Sequence, residues 1–190
     1  MKSVPRLPRV TELAHELVRP FLTAGDVAVD ATVGNGHDTL FLAECVGKSG
    51  RVVGFDIQRD AIEASRTRTV SHPQVELHRA GHETMDRYVD GEIQAAMFNL
   101  GYLPSGDKTL TTLPATTVAA LTLASHLLAT PGILTIVVYP GHEGGKAEAE
   151  AVDSWVSSID SSDFLPVKYE LVDPSNRHPW LAAVEKRARR

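Results

Sequence analysis

The stretch Asp-Ala-Thr-Val-Gly-Asn-Gly-His-Asp, residues 30–38, lies between an apolar run at 27–29 and a helix-like run at 39–43. A strand, a glycine turn and a helix in this order are typical of a cofactor loop. Glycines let the backbone approach a ligand, and the next helix presents free N–H groups at its N-terminus. Thr39 stands where the dinucleotide fingerprint Gly-x-Gly-x-x-Gly has its third glycine. The spacing therefore favours S-adenosylmethionine, which has no pyrophosphate, over a dinucleotide; a turn without a ligand is the alternative.

Length, charge and cysteine content narrow the class of protein. The chain has 190 residues, a net charge of -5 and one cysteine. We expect a single domain over 1–190, with a loose N-terminal tail at 1–7. The charge argues against a surface that coats nucleic acid broadly, but not against a local basic patch. No signal peptide, membrane-spanning run, disulfide or metal-ligand spacing is recognisable, so a cytoplasmic enzyme without a metal is expected.

Strand-like and helix-like segments alternate along most of the chain. Strands are predicted at 27–33, 51–57, 75–79, 93–100, 133–139, 164–172 and 180–185. Helices are predicted at 10–21, 38–46, 59–70, 83–89 and 112–129, with one more beginning at 144–145. Alternation predicts a parallel sheet with helices on both faces. The last two strands have no helix between them and should form a hairpin. One strand of that hairpin is then antiparallel to the rest of the sheet. An α/β fold with a seven-stranded, mostly parallel sheet and an antiparallel last strand is that of the Rossmann-like class I methyltransferases, which this pattern resembles, and the resemblance implies that fold here.

Polar residues follow the predicted strands at their carboxyl ends, where open parallel sheets bind ligands. Asp56 lies about 20 residues beyond the glycine loop, where an acid accepts both ribose hydroxyls of an adenosine cofactor. Capping of the next helix is the alternative for Asp56. Asp38 is predicted either to bind the cofactor's ammonium group or to cap its own helix. The candidate cofactor-binding residues are Gly34, Asn35, Gly36, Asp38, Asp56, Gln58, His82, Glu83 and Asn99.

The segment 99–102, Asn-Leu-Gly-Tyr, begins at the end of the fourth predicted strand and is the candidate methyl-transfer platform. Transfer from a sulfonium is an in-line displacement, so the enzyme mainly has to position the nucleophile. An Asn carbonyl can accept an amine N–H, and an aromatic ring can stack on a base. His142 could hold a substrate group or take a proton near neutral pH. The candidate catalytic residues are therefore Asn99, Tyr102 and His142. The alternatives are that 99–102 is an ordinary turn and that His142 is a solvated loop residue.

Four segments in combination carry a resemblance to one family. They read DATVGNGHDTLFLA (30–43), VGFDIQ (53–58), FNLGYLPSGDK (98–108) and YPGHEGG (139–145). The family is that of the tRNA 5-(aminomethyl)uridine wobble-base methyltransferases, first labelled putative rRNA methylases. The resemblance implies a class I fold, S-adenosylmethionine as methyl donor, and conversion of an aminomethyl to a methylaminomethyl group in the anticodon region of tRNA. A homodimer is the expected assembly.

Carried over by position, the resemblance places cofactor contacts at Asn35, Asp38, Asp56, Gln58 and His82, with the 99–102 and His142 loops facing the base. The approach to the last strand departs from the family pattern: it reads NRHPW at 176–180 and lacks a Pro-Pro pair. Three alternatives stay open at this point. They are a methyltransferase for rRNA or a small-molecule amine, a nicotinamide-dependent oxidoreductase, and a non-catalytic adenosine-binding module.

Overall fold

The computed structural model describes residues 7–101, 111–142, 144–172 and 178–188. The helices are α1 (Val10–Val18), α2 (His37–Val46), α3 (Arg59–Arg68), α4 (Pro114–Leu127) and α5 (Gly145–Ser158), with 3₁₀ turns at Arg19–Phe21 and His82–Arg87. The strands are β1 (Val27–Asp30), β2 (Arg51–Phe55), β3 (Val75–His78), β4 (Ile93–Asn99), β5 (Leu128–Val138), β6 (Phe164–Tyr169) and β7 (Trp180–Lys186). The prediction of one domain stays a prediction, and nearly all of the predicted tail lies outside the described residues.

The seven strands form one sheet in the order β3-β2-β1-β4-β5-β7-β6. β1 pairs in parallel with β2 and β4, β2 pairs with β3, and β4 pairs with β5. β7 runs antiparallel to both β5 and β6. β6 therefore has the same direction as the parallel strands, and β7 alone is reversed in the described sheet. The predicted fold class, a mostly parallel sheet with an antiparallel last strand, is confirmed.

Both faces of the sheet are covered by helices. Ala28 and Ala95 belong to a core cluster that includes side chains of α1 and α2, whereas Val29 and Ala96 belong to a second cluster with α4 and α5. Successive residues of a strand alternate between the clusters because their side chains point to opposite faces. This burial on both sides explains the continuous apolar sequence of the central strands.

β1 is shorter than the strand predicted at 27–33. It ends at Asp30, although the Ala31 N–H still donates to the Met97 carbonyl at 2.9 Å. The chain leaves the sheet here because it turns directly into the glycine loop. The carboxyl end of β1 is therefore the floor of that loop.

The predicted helix at 112–129 is too long at its C-terminal end. α4 ends at Leu127, and Pro131 and Gly132 lie inside β5 instead of breaking a helix. The pairing of β5 with β4 shifts register at this end of the strand. Proline has no backbone N–H to donate. It is accommodated there because the irregular end of the strand does not need that donor for the hydrogen-bond ladder.

Across the described ranges, no helix is long and apolar enough to cross a membrane.

Candidate active site

A cavity of about 600 Å³ opens at the carboxyl edge of β1, β2, β4 and β5. Its volume lies in the range of about 300–1,000 Å³ that is usual for small-molecule sites. The predicted site residues that line it are Gly34, Asn35, Asp38, Asp56, Gln58, His82, Glu83, Asn99 and His142. The rule that ligands bind beyond the carboxyl ends of parallel strands thus brings residues from five separate segments into one chamber.

The Asp56 carboxylate ties the glycine loop to the entry of α3. Its Oδ2 accepts the Gly34 N–H at 2.9 Å, and its Oδ1 accepts the Gln58 N–H at 2.8 Å. Gln58 occupies the N-cap position of α3, so the alternative in which Asp56 caps this helix is wrong. Burial raises the pKa of Asp56, and the two N–H bonds oppose that rise. A carboxylate has about four acceptor positions, so Asp56 keeps capacity for a ligand's hydroxyl groups.

Gly36 differs from the other predicted cofactor residues, because it does not line the cavity. Its φ is +77°, and a Cβ placed on it would lie 2.7 Å from the Ser65 Cα. The second glycine of the loop therefore allows α3 to pack against the start of α2. The structure gives this residue a packing role where the sequence suggested a close approach to the ligand.

His82 and Glu83 form the cavity wall beyond β3. The His82 side chain is buried, and its Nδ1 lies 3.1 Å from the Ala31 carbonyl. Because a carbonyl can only accept, Nδ1 carries the proton and Nε2 is left as an acceptor. Burial lowers the pKa of His82, which favours the neutral ring. The Glu83 carboxylate folds over Gly81, where a Cβ would overlap it.

Asp38 lies in the first turn of α2 but does not cap it. Gly36 occupies the N-cap position and no side chain caps the helix, so the capping alternative for Asp38 is wrong. Its Oδ1 lies 2.6 Å from His15 Nε2, and its Oδ2 accepts from Asn99 Nδ2 at 3.4 Å. The carboxylate therefore connects a cavity residue to α1.

His15 was not predicted as a site residue. Its ring stacks on Phe41 with a centroid distance of 4.0 Å and an interplanar angle of 2°. His15 and Asp38 are 23 residues apart, and no motif connects them. Only the packing of α1 beside α2 brings them together, so the sequence contained no signal for this pair.

Asp30, the first residue of the glycine motif, is fully buried beneath the site. Its oxygens accept from the Thr39 hydroxyl at 2.5 Å and from the Thr32 N–H at 3.1 Å. Burial, reinforced by the charge of Asp38, raises the pKa of Asp30 to about 7. A carboxyl group with a raised pKa therefore lies below the glycine loop.

The side of the cavity at β4 and β5 contains the candidate platform. The Asn99 N–H donates to the Thr32 hydroxyl at 2.6 Å, which joins the end of β4 to the glycine loop. Gly101 and Thr112 exchange two hydrogen bonds, of 2.9 and 3.1 Å, across the segment between them. The buried Glu148 carboxylate accepts the Thr112 hydroxyl at 2.7 Å. Tyr102, a candidate catalytic residue, lies outside the described residues.

His142 packs at the N-terminus of α5. A Cβ on Gly101 would lie 3.5 Å from its Nε2, and a Cβ on Gly145 would lie 3.0 Å from the same atom. Tyr139 lines the cavity beside it and was not predicted as a site residue. Burial raises the pKa of Tyr139, and the Asp38 charge adds to that rise. The position of Tyr139 at the end of a strand was the signal that could have identified it.

In the part of the chain that the structure describes, no group of three or more His, Cys, Asp or Glu residues could hold a metal ion.

Comparison with known proteins places the chain among methyltransferases. Residues 52–185 match the family described as "Putative rRNA methylase". A curated relative, the chloroplastic tRNA (mnm(5)s(2)U34)-methyltransferase of Arabidopsis thaliana, is 36% identical over 178 residues, which are 87% of this chain and 65% of the relative. The chain thus spans slightly less than two thirds of that relative's length.

Two solved structures are similar over their whole length. A putative rRNA methylase from Clostridium thermocellum has a TM-score of 0.92 at 40% identity, over 96% of this chain and 100% of that one. A putative methyltransferase from Streptococcus mutans, in complex with SAH, has a TM-score of 0.86 at 36% identity, over 95% of this chain and 99% of that one. The predictions of the family and of a class I methyltransferase fold are confirmed.

Proposed function

The chain belongs to the rRNA methylase family of S-adenosylmethionine-dependent methyltransferases, and on this premise we propose that it N-methylates an aminomethyl group in RNA. The proposed substrate is 5-aminomethyl-(2-thio)uridine at the wobble position of tRNA. The products would be the methylaminomethyl nucleoside, S-adenosylhomocysteine and one proton, which the amine nitrogen loses after it takes the methyl group from the sulfonium. The curated Arabidopsis relative, named for a wobble uridine with this type of side chain, supports the choice.

The observation that carries the proposal is that a candidate ribose acceptor and a candidate amine acceptor line the same cavity. Asp56 follows β2, Gly34 follows β1 and Asn99 ends β4, and these three strands are neighbours in the sheet. Two strand spacings of about 4.8 Å separate the outer pair by roughly 10 Å. This separation suits a cofactor whose ribose lies at one end and whose sulfonium lies near the other.

The cofactor would occupy the side of the cavity at β1, β2 and β3. Asp56 would accept the ribose hydroxyls, as its remaining lone pairs allow. Gln58 and the acceptor Nε2 of His82 would flank the adenine, and Asn35 would face the methionine part. The bound SAH in the similar Streptococcus mutans structure supports this cofactor.

The nucleophile would enter on the side of Asn99 and His142. An alkyl amine is mostly protonated at neutral pH, and the ammonium form has no lone pair for the methyl group. The site therefore has to bind the neutral amine with its lone pair in line with the sulfonium. A carbonyl oxygen on Asn99 can accept an amine N–H and aim the lone pair.

A methyl-transfer assay with labelled S-adenosylmethionine tests the proposal. Three acceptors are compared at equal concentration: tRNA that contains aminomethyluridine, rRNA from the same cells, and aminomethyl-bearing small amines. The proposal predicts label in tRNA alone. The second candidate, an rRNA methylase, is favoured by the family's description, and label in rRNA alone would establish it. Label in small amines alone would contradict both RNA substrates.

Location and assembly stay predictions. The cytoplasm is the proposed location, while the Arabidopsis relative is described as chloroplastic.

The proposed homodimer is checked by sedimentation velocity, where a single species with the mass of one chain would contradict it.

A further inference from the structure

His15 contacts the active site from outside the cavity. It lies on α1, and its Nε2 is 2.6 Å from the Asp38 Oδ1, while the lining of the cavity includes Asp38 but not His15. The ring is held in place by its parallel stack on Phe41. The His15 side chain is 25% exposed and that of Asp38 is 13% exposed, so this contact is largely shielded from water. A polar contact that is partly buried is stronger than one on an open surface.

Asp38 lies between His15 and Asn99 and determines which of their side-chain atoms face it. An ionised carboxylate has acceptor positions only, so each of its partners has to donate. His15 must then carry a proton on Nε2. Asn99 must direct its Nδ2 towards Asp38, which lies 3.4 Å away. The backbone of Asn99 is held separately by its N–H bond to the Thr32 hydroxyl, so the side-chain amide is the part that Asp38 orients.

The orientation of the Asn99 amide decides which nucleophile the site accepts. With Nδ2 turned towards Asp38, the carbonyl Oδ1 is the group that can accept from a ligand. An amine needs such an acceptor for its N–H, so that its lone pair is free to attack the methyl group. The opposite orientation would direct N–H donors at the amine and compete for that lone pair.

We propose that His15 is a positioning residue that fixes the Asn99 amide through Asp38, so that the Asn99 carbonyl faces the N–H of the nucleophile. The inference rests on the proposed methyltransferase function. His15 touches neither cofactor nor substrate in this scheme. It acts through two hydrogen bonds, and its effect belongs to methyl transfer rather than to cofactor affinity.

Two substitutions separate the hydrogen bond from the ring. His15→Phe keeps a flat ring for the stack on Phe41 and removes the donor, whereas His15→Gln keeps an N–H donor. The matched controls are His126→Phe and His126→Gln, at an exposed histidine in the last turn of α4. For each variant, SAH affinity is measured by calorimetry, kcat and KM by methyl transfer, and folding by thermal denaturation.

We expect His15→Phe to lower kcat about tenfold with SAH affinity within about twofold, the size of effect that loss of one charge-assisted hydrogen bond produces. His15→Gln should restore kcat to within about threefold of the wild-type value. Unchanged kcat in His15→Phe, or an equal loss in both His15 variants, would overturn the inference. A parallel loss of SAH affinity would assign His15 to the cofactor instead and would also overturn it.

A second measurement needs no substrate, so it separates this inference from the proposed function. The side-chain NH₂ signals of Asn99 are followed by NMR in wild type, His15→Phe and His126→Phe. The inference predicts that His15→Phe alone shifts these signals and speeds their exchange with water. If they do not change, His15 does not orient Asn99, whatever RNA the enzyme methylates. If the wild type does not methylate the proposed substrate but His15→Phe still shifts the Asn99 signals, the substrate is refuted and the positioning role of His15 stands.

Discussion

Asp56 accepts hydrogen bonds from two backbone N–H groups, one in the glycine loop and one at the start of α3. Asp56→Ala removes the acceptor of Gly34 and Gln58 together with the proposed ribose contact. Hydrogen bonds to charged groups contribute about 1.5–3 kcal/mol each, so we expect SAH affinity to fall at least about 100-fold. Calorimetry measures this loss. Asp60→Ala, at an exposed position in the first turn of α3, is the control, and equal affinity in the two variants would remove the ribose assignment.

Asn99 should affect methyl transfer more than cofactor binding. Asn99→Ala leaves the backbone bond to Thr32 in place and removes only the amide. We expect kcat to fall about 100-fold, as for removal of one preorganised polar group in an active site, with SAH affinity within about threefold. Gln94→Ala, an amide at the other end of β4, is the control. If SAH affinity falls as far as kcat does, Asn99 has no platform role.

Asp30 should make the stability of the protein depend on pH. Its folded pKa of about 7 lies above the ordinary value of 3.8, so the folded chain holds a proton that the unfolded chain releases. The stability conferred by this proton is fully present at low pH and is lost as the pH rises to about 7. The slope is at most about 1.4 kcal/mol per pH unit for one group. The free energy of unfolding, measured by urea denaturation at a series of pH values, should depend less on pH in Asp30→Asn than in wild type or Asp60→Asn. An equal dependence on pH in all three would contradict the assignment.

At the scale of elements, the close approach of α2 and α3 should depend on Gly36. Gly36→Ala adds a Cβ that would lie 2.7 Å from the Ser65 Cα, and backbone cannot move aside cheaply. Gly91→Ala is a matched control, because its φ of +90° is similarly strained but its Cβ would meet nothing within 4 Å. We expect Gly91→Ala to lower the free energy of unfolding by about 1–2 kcal/mol. Gly36→Ala should cost several kcal/mol more in urea denaturation, and equal costs would contradict the packing role.

The helices and strands could be predicted wherever periodicity was undisturbed. The apolar run of β4 followed from burial on two faces, and the antiparallel pairing of β6 with β7 followed from the missing helix between them. That β7 is the reversed strand was implied by the resemblance to class I methyltransferases. The end of β1 and the boundary between α4 and β5 could not be predicted. The first depends on where the glycine loop leaves the sheet. The second depends on a register shift against β4 that lets Pro131 lie within a strand. Both are set by neighbouring strands and not by local sequence.

At the scale of the whole molecule, the strand-end rule predicted the residues that line the cavity but not the helix residues that pack against them. Asp56, His82 and Asn99 were predicted because each follows a strand. His15 was missed because its contact with Asp38 arises from helix packing between segments 23 residues apart. Gly36 was assigned to the ligand because the motif alone does not show that the second glycine faces α3. The sequence predicts which residues lie at the edge of the sheet. The side-chain contacts made by the helices that pack next to this edge can be known only from the three-dimensional structure.

The chain belongs to a methyltransferase family, and the central claim is the proposal that it methylates an aminomethyl group in tRNA. The most direct test is mass spectrometry of nucleosides from tRNA that contains aminomethyluridine, after incubation with the purified protein and S-adenosylmethionine. The account predicts that aminomethyluridine is converted to methylaminomethyluridine, and that Asn99→Ala protein converts it about 100-fold more slowly. If the wild-type protein binds S-adenosylmethionine but aminomethyluridine persists unchanged, the proposed substrate is contradicted.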